Sequence, residues 1–89
     1  MKNKEIKISN RLGLHARPSA KVTQLAGKFE SEVWLSKAGQ RVNAKSIMGV
    51  MMLAAAEGEV VLIETNGIDE EEALVSLTTL IENRFDEKE

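Results

Sequence analysis

Gly13-Leu14-His15-Ala16-Arg17-Pro18 is the stretch around which the rest of the chain is arranged. It contains the only histidine and the only proline among the 89 residues. An alternating segment before it predicts a strand and an apolar-periodic segment after it predicts a helix, so the stretch lies at a turn and a helix start. Pro18 is tolerated there because an amide of the first helical turn has no intrahelical partner. The stretch therefore predicts a helix that begins at Ala16, with His15 as its N-cap residue.

His15 and Arg17 together indicate a site for an anion. A neutral imidazole is nucleophilic near physiological pH, and at an N-cap it lies beside amide hydrogens without an intrahelical partner. Those amides and the helix dipole favour negative charge, and Arg17 adds a group that stays protonated. A lone histidine is more often an ordinary surface or core residue, but the helix start, the nearby arginine and the entering glycine favour function. The pattern indicates a histidine that can carry a phosphoryl group.

These six residues resemble the phosphorylation-site motif of HPr, the histidine-containing phosphocarrier family of the bacterial phosphotransferase system. A second block, Lys45-Ser46-Ile47-Met48-Gly49-Val50-Met51, resembles the regulatory serine region of that family. The length and the spacing of both blocks also fit, so the resemblance covers the whole chain as a single HPr-like domain, residues 1–89. It implies a stoichiometric phosphocarrier that is covalently phosphorylated in a relay, and not an enzyme.

The resemblance also implies the steps of that relay. Enzyme I would pass a phosphoryl group from phosphoenolpyruvate to Nδ1 of His15, and the carrier would donate it to a histidine of an enzyme II A component. Arg17 would pair with the phosphoryl oxygens and with acidic partner surfaces, while Ala16 and Pro18 would support the helix start. No cofactor is implied, and the family precedent is a monomer.

Ser46 has a structural and a regulatory interpretation. It precedes a run of helix-compatible residues and lies where an N-cap is expected, although Asn43 is an alternative start signal. The resemblance adds phosphorylation of Ser46 by HPr kinase/phosphorylase. A phosphate there would be favoured by the helix dipole and would repel an acidic partner such as enzyme I, so that regulation needs no conformational change.

Two alternatives to a general sugar-transport carrier stay open. One is a regulatory phosphocarrier of the nitrogen-related branch, which the Glu-rich start of the last helix and the Phe85-Asp86-Glu87 ending resemble. The other is a protein that binds a transcription regulator through phosphorylated Ser46. Family members of that second type have lost the histidine that this chain retains as His15.

Composition excludes several kinds of function. The chain has no cysteine, which excludes disulfides and thiolate chemistry, and one histidine is too few for an imidazole-rich metal site. A formal charge of −2 with interspersed signs gives no reason to expect nucleic-acid binding. The longest apolar run, Val50–Ala56, is too short to cross a membrane, and no apolar stretch follows the N-terminus. We therefore expect a cytoplasmic protein without a signal peptide.

Periodicity predicts seven elements in the order β-α-β-β-α-β-α. They are a strand Lys4–Ser9, a helix from Ala16 to about Lys28 with Gly27 as a stop signal, a hairpin of Glu32–Ser36 and Gln40–Asn43 around Lys37-Ala38-Gly39, a helix Ile47–Ala56, a central strand Val60–Thr65, and a helix from an Asp69/Glu72 capping box to about Asn83. The charged tail Asp86–Glu89 is predicted to fray.

The element order predicts an α+β sandwich with an antiparallel sheet. The resemblance implies the open-faced form, in which a four-stranded antiparallel sheet carries three helices on one face. Ferredoxin-like metal carriers begin with the same order but need paired cysteines in the first loop, where this chain has His15. RNA-binding domains of that order present aromatic residues on their strands, whereas this chain offers only Trp34, which we predict to be a packing residue of the sheet.

The second helix is nearly apolar on all sides. We predict that Val50 and Leu53 face the core and that Ile47, Met48 and Met51 form an exposed apolar patch. The resemblance implies that this patch is a docking surface for partner proteins, a role that periodicity alone does not show.

Overall fold

The fold is described by a computed structural model, which covers residues 1–86. The elements follow the predicted order, with one additional short turn at the end: β1 Lys2–Lys7, α1 Ala16–Ala26, β2 Glu32–Lys37, β3 Gln40–Asn43, α2 Ile47–Met52, β4 Val60–Asn66, α3 Glu70–Glu82 and the turn Arg84–Asp86. The α+β class and the order of the predicted elements are confirmed.

The four strands form one antiparallel sheet in the order β1-β4-β2-β3. Strand β4 is an interior strand, as its β-branched residues predicted. One face of the sheet packs against the three helices, which contribute fully buried residues such as Val22, Val50 and Leu77 to the core. The open-faced β-sandwich with three helices on one face is therefore confirmed.

Trp34 lies on the other face of the sheet, because its neighbours Val33 and Leu35 point into the core. It is half-buried, and the Arg41 guanidinium carbon is 4.0 Å from its ring centroid. Arg41 Nε is also 3.2 Å from Glu64 Oε1. Trp34 thus packs within the sheet, as predicted.

The sequence placed β1 two residues too late and gave α1 two residues too many. Ile8 is fully buried but lies outside the strand, and its amide and carbonyl bond Glu59 and Gly58 just before β4. Helix α1 ends at Ala26, with Gly27, the predicted stop signal, as its C-cap. In the hairpin, Lys37 belongs to β2, so the turn is only Ala38-Gly39.

Helix α2 was predicted to extend to Ala56, but it ends at Met52. The reason is Ala54, whose φ of 50° is incompatible with a right-handed helix. The carbonyls of Ala54 and Ala55 instead accept hydrogen bonds from Lys37 and from the amide of Leu14, which lie far away in the sequence. The segment after α2 is therefore shaped by tertiary contacts.

The predicted capping box at α3 is wrong. Asp69 is the N-cap residue, but its side chain makes no cap hydrogen bond. Its carboxylate accepts the amides of Glu30 and Ser31, both at 2.9 Å, and the Ser31 hydroxyl. Asp69 therefore joins the start of α3 to the chain before β2.

The predicted fraying of the tail is wrong at Asp86 and lies outside the described residues at 87–89. Arg84, Phe85 and Asp86 form a left-handed turn, with φ between 56° and 62°. Phe85 is fully buried, and its carbonyl accepts a hydrogen bond from Lys21 Nζ at 2.6 Å. The end of the described chain is thus anchored to α1.

Candidate functional site

The turn that leads to His15 is fixed by hydrogen bonds on both sides. Asn10 is fully buried, and its Nδ2 donates to the Gly13 carbonyl at 2.8 Å. The amide of Leu14 donates to the Ala55 carbonyl at 2.9 Å. These contacts attach the turn to the segment that follows α2.

Gly13 is required at this turn for two reasons. Its φ of +65° lies in the left-handed region, which side chains disfavour. A Cβ at this position would also lie 2.3 Å from the Ala55 carbonyl oxygen, closer than atoms can approach. Glycine therefore allows the backbone before His15 to approach Ala55.

His15 is the N-cap residue of α1, as predicted, with φ −81° and ψ −170°. Its amide donates to the Gly13 carbonyl at 3.0 Å, and its carbonyl accepts the amide of Ser19 at 3.0 Å. Ser19 is fully buried and its hydroxyl donates to the Leu14 carbonyl at 3.2 Å. These contacts hold the half-buried His15 at the positive end of an eleven-residue helix.

The first turn of α1 is electropositive. Ala16 and Arg17 are exposed, while Pro18 is buried beneath them. The turn contains no acidic residue that would offset the helix dipole or the guanidinium charge. An anion held at His15 would therefore lie near free amides and near a permanent cation.

Ser46 is the N-cap residue of α2, as predicted, and it is exposed. Its Oγ accepts the amide of Gly49 at 3.2 Å. Asn43, the alternative start, instead accepts the amide of Lys45 at 2.8 Å and turns the chain before the helix.

The side chains of α2 divide between the core and the surface. Val50 and Leu53 are buried, whereas the members of the apolar patch, Ile47, Met48 and Met51, are between 40% and 69% exposed. Met52 in α2 and Leu12 in the turn before His15 are also exposed, although the sequence did not single them out. The sequence does contain an indication for each residue, since Met52 continues the apolar run of α2 and Leu12 is an apolar residue in a polar turn.

The structure does not bring His15 and Ser46 together. The turn before His15 contacts Ala55, beyond the end of α2, while Lys45, before α2, donates to the Phe29 carbonyl beyond the end of α1. Helices α1 and α2 are therefore antiparallel, and the two N-caps lie at opposite ends of the pair. Helix α2, which is roughly 9 Å long and includes the apolar patch, lies between them.

Neither a metal site nor a membrane segment emerges from residues 1–86. Within this range, no three His, Cys, Asp or Glu side chains are grouped so as to hold a metal ion. None of the helices in the same range has the length and the apolar character that crossing a membrane would require.

The chain is similar to known proteins in sequence and in fold. The family model described as "PTS HPr component phosphorylation site" matches residues 2–83. The phosphocarrier protein HPr of Cupriavidus necator is 58% identical over 89 residues, which is the whole of both chains. The crystal structure of HPr-C-His from Thermoanaerobacter tengcongensis has a TM-score of 0.96 at 49% identity, with all of both chains covered.

A further crystal structure shows an HPr dimer from Thermoanaerobacter tengcongensis. It is 50% identical to this chain, with a TM-score of 0.79, and the match covers 98% of this chain and 100% of that one.

Proposed function

This chain belongs to the HPr family of phosphocarrier proteins of the phosphotransferase system, and from that premise we propose that His15 is the residue that carries the phosphoryl group. The observation that carries the proposal is the position of His15. It is the N-cap residue of α1, half-buried, and followed by a first turn that contains Arg17 and no acidic residue.

In the proposed relay, Nδ1 of His15 attacks the phosphorus held by phospho-enzyme I. The new N–P bond forms as the bond to the enzyme I donor breaks, and the same N–P bond breaks when a histidine of an enzyme II A component attacks in turn. Phosphoryl transfer depends on in-line positioning and on stabilisation of charge on the phosphoryl oxygens. The amides at the start of α1 and the Arg17 guanidinium supply that charge stabilisation.

The chain acts in this relay as a stoichiometric carrier and not as a catalyst. His15 must meet two different proteins in succession, so its surroundings must be accessible to both. The apolar patch of Ile47, Met48 and Met51 supplies a docking surface beside the site, and methionine side chains adapt to more than one partner. We propose that the relay runs in the cytoplasm and that the chain acts there as a monomer.

We further propose that phosphorylation of Ser46 by HPr kinase/phosphorylase regulates the relay. Ser46 is exposed, and its Oγ already faces the first amides of α2, which favour a phosphate. The phosphate would add close to two negative charges at one end of the apolar patch. An acidic partner such as enzyme I would then be repelled, although His15 itself is unchanged.

The test is phosphorylation by phosphoenolpyruvate and a catalytic amount of enzyme I, with wild type and His15→Ala compared. Wild type should gain an acid-labile, alkali-stable label and the His15→Ala protein should gain none. Because His15 makes no side-chain cap bond, we expect the variant to remain folded, which circular dichroism would verify. Transfer of the isolated label to enzyme II A components would then show whether a sugar-transport or a nitrogen-branch protein accepts it.

Absence of label on wild type, with a known HPr labelled in parallel, would contradict the proposal. The function would then have to be sought at Ser46, in binding to a transcription regulator after phosphorylation.

A further inference from the structure

The backbone before His15 rests on residues 54–56, which we call the seat segment. The Ala55 carbonyl accepts the amide of Leu14 at 2.9 Å, and Gly13 packs directly against the same carbonyl. The amide of His15 in turn donates to the Gly13 carbonyl at 3.0 Å. A shift of the seat segment would therefore move the backbone of His15.

Helix geometry does not fix the seat segment, because α2 has already ended and Ala54 has a φ of 50°. Two charged side chains from outside the segment hold it instead. Lys37 Nζ donates to the Ala54 carbonyl at 3.2 Å, and Glu59 Oε1 accepts the amide of Ala56 at 2.7 Å. Lys37 Nζ and Glu59 Oε1 are also 3.3 Å apart, so the two side chains form one unit.

This unit is attached to the sheet on both sides. Lys37 is the last residue of β2, and its side chain is only 20% exposed. The Glu59 carbonyl accepts the amide of Ile8, two residues before the buried Asn10. The hydrogen bond from the Ala56 amide, followed by the bond from Lys37, holds the pKa of the Glu59 carboxyl below its ordinary value of 4.5. The carboxylate is therefore charged at neutral pH.

We infer that Lys37 and Glu59 are positioning residues for His15: they hold the seat segment, and the seat segment sets the backbone that presents the imidazole. This inference rests on the proposed function of His15 as the phosphoryl carrier. The connection from Glu59 is short, since it passes through the Ala56 amide and the adjacent Ala55 carbonyl to Leu14. Small misplacements of a reacting group reduce transfer rates strongly.

The chain offers a matched control in the pair of Arg41 and Glu64. Their closest approach is 3.2 Å, close to that of the Lys37–Glu59 pair, but it lies on the helix-free face of the sheet. Removal of Glu64 thus deletes a comparable ion pair and leaves the contacts of the seat segment in place.

The experiment compares Glu59→Ala, Glu59→Gln and Glu64→Ala with wild type, with phosphoenolpyruvate and enzyme I as phosphoryl donor. With Glu59→Ala as the phosphoryl acceptor, we expect the kcat of enzyme I to fall by about tenfold. The KM of enzyme I for the carrier should not rise, because the apolar patch is untouched. Glu59→Gln should recover part of the rate, since its amide oxygen can still accept the Ala56 amide. Glu64→Ala should stay within about twofold of wild type, as expected for the loss of a partly exposed ion pair.

A second measurement separates this inference from the proposed function. Nuclear magnetic resonance of the imidazole in the unphosphorylated proteins should show displaced His15 signals in Glu59→Ala and wild-type signals in Glu64→Ala. Wild-type kcat together with wild-type His15 signals in Glu59→Ala would overturn the inference. If wild type accepts no phosphoryl group, the proposed function fails, and the imidazole signals alone decide the positioning role.

If Glu59→Ala does not fold, Lys37→Gln replaces it in both measurements with the same expected direction. Urea unfolding of each variant establishes that the proteins compared are folded.

Discussion

Helices α1 and α2 both begin after a polar N-cap residue, but they hold their first turns in different ways. In α2 the cap is local, because Ser46 Oγ accepts the amide of Gly49. In α1 the imidazole of His15 makes no cap hydrogen bond, and the start is held by its neighbours through the Leu14–Ala55 and Ser19–Leu14 bonds. The side chain of His15, which we propose to carry the phosphoryl group, therefore makes no contribution to capping α1.

The two helix starts also differ in what a phosphate would do there. At α1 a phosphate on His15 would be the group that is passed on, near the exposed charge of Arg17 and accessible to a second protein. At α2 a phosphate on Ser46 would be a fixed charge at the end of the apolar patch. Four sets of substitutions probe how the helix starts are held and charged, in order from the largest expected effect to the smallest.

The first prediction concerns the attachment of the α1 start. Gly13→Ala should lower the free energy of unfolding by about 3 kcal/mol, because it combines left-handed strain with a clash against the Ala55 carbonyl. Gly39→Ala is the control, since Gly39 also has a positive φ but no atom within 4 Å of a new Cβ. Its expected loss is only about 1 kcal/mol, from strain alone.

Urea unfolding measures both values. Equal losses in the two variants would mean that the contact with Ala55 does not stabilise the turn before His15.

The second prediction concerns the cation at the α1 start. Arg17→Ala should slow transfer from enzyme I by roughly tenfold, because a charge-assisted contact with the phosphoryl oxygens is lost. Lys28→Ala removes another exposed cation just beyond the other end of α1 and should leave the rate unchanged. Single-turnover labelling of the two variants measures the rates, and a similar loss in both would assign the effect to general surface charge.

The third prediction concerns charge at the α2 start. Asp and Asn are both good N-cap residues, so Ser46→Asp and Ser46→Asn should keep the helix, and only the first adds charge. We expect Ser46→Asp to slow phosphorylation of His15 by about threefold through repulsion of an acidic partner, and Ser46→Asn to match wild type. The slowing should weaken at high salt, because exposed charges are screened. Equal rates at low salt would contradict the electrostatic mechanism.

The fourth prediction concerns the start of α3, where the carboxylate of the N-cap residue Asp69 bonds Glu30 and Ser31 and not the helix itself. The Ser31 hydroxyl, followed by the Glu30 amide, lowers the pKa of the Asp69 carboxyl from its ordinary value of 3.8. The carboxylate therefore stabilises the fold fully above that value, and the contribution is lost as the pH falls through the lower pKa of the folded state.

Asp69→Asn removes this contribution, so the variant should be less stable than wild type at neutral pH. Its stability should also fall less steeply between about pH 5 and about pH 2. Thermal unfolding across this range, with exposed Asp86→Asn as control, measures the difference. Parallel curves for wild type and Asp69→Asn would show that the charge of the Asp69 carboxylate does not contribute to the pH dependence of stability.

The sequence predicted those features that depend on neighbouring residues. Apolar periodicity located all four strands and three helices, and the Pro18 and Ser46 signals placed two helix starts correctly. The signals fail where a distant segment decides the backbone. Nothing in the run Ile47–Ala56 breaks a helix, and α2 ends early because the segment around Ala55 bonds the turn before His15.

The same reason explains the other errors. Asp69 and Glu72 have capping-box spacing, but the Asp69 carboxylate bonds Ser31, which lies 38 residues earlier. Asp86 was predicted to fray with the charged tail, but it follows Phe85, which is buried and accepts a hydrogen bond from Lys21 of α1. For the site, the motif predicted the positions of His15 and Arg17, whereas the roles of Lys37 and Glu59 require knowledge of which strands and loops meet.

The central claim, that His15 carries the phosphoryl group, is most directly tested by nuclear magnetic resonance of protein labelled with ¹⁵N-histidine. Because the chain contains a single histidine, only one imidazole is observed. On addition of phosphoenolpyruvate and catalytic enzyme I, the account predicts that its signals are replaced by a set in which Nδ1 is coupled to phosphorus, and that enzyme II A restores the original set. Unchanged imidazole signals in a protein whose intact mass has risen by one phosphoryl group would place the modification elsewhere and contradict the account.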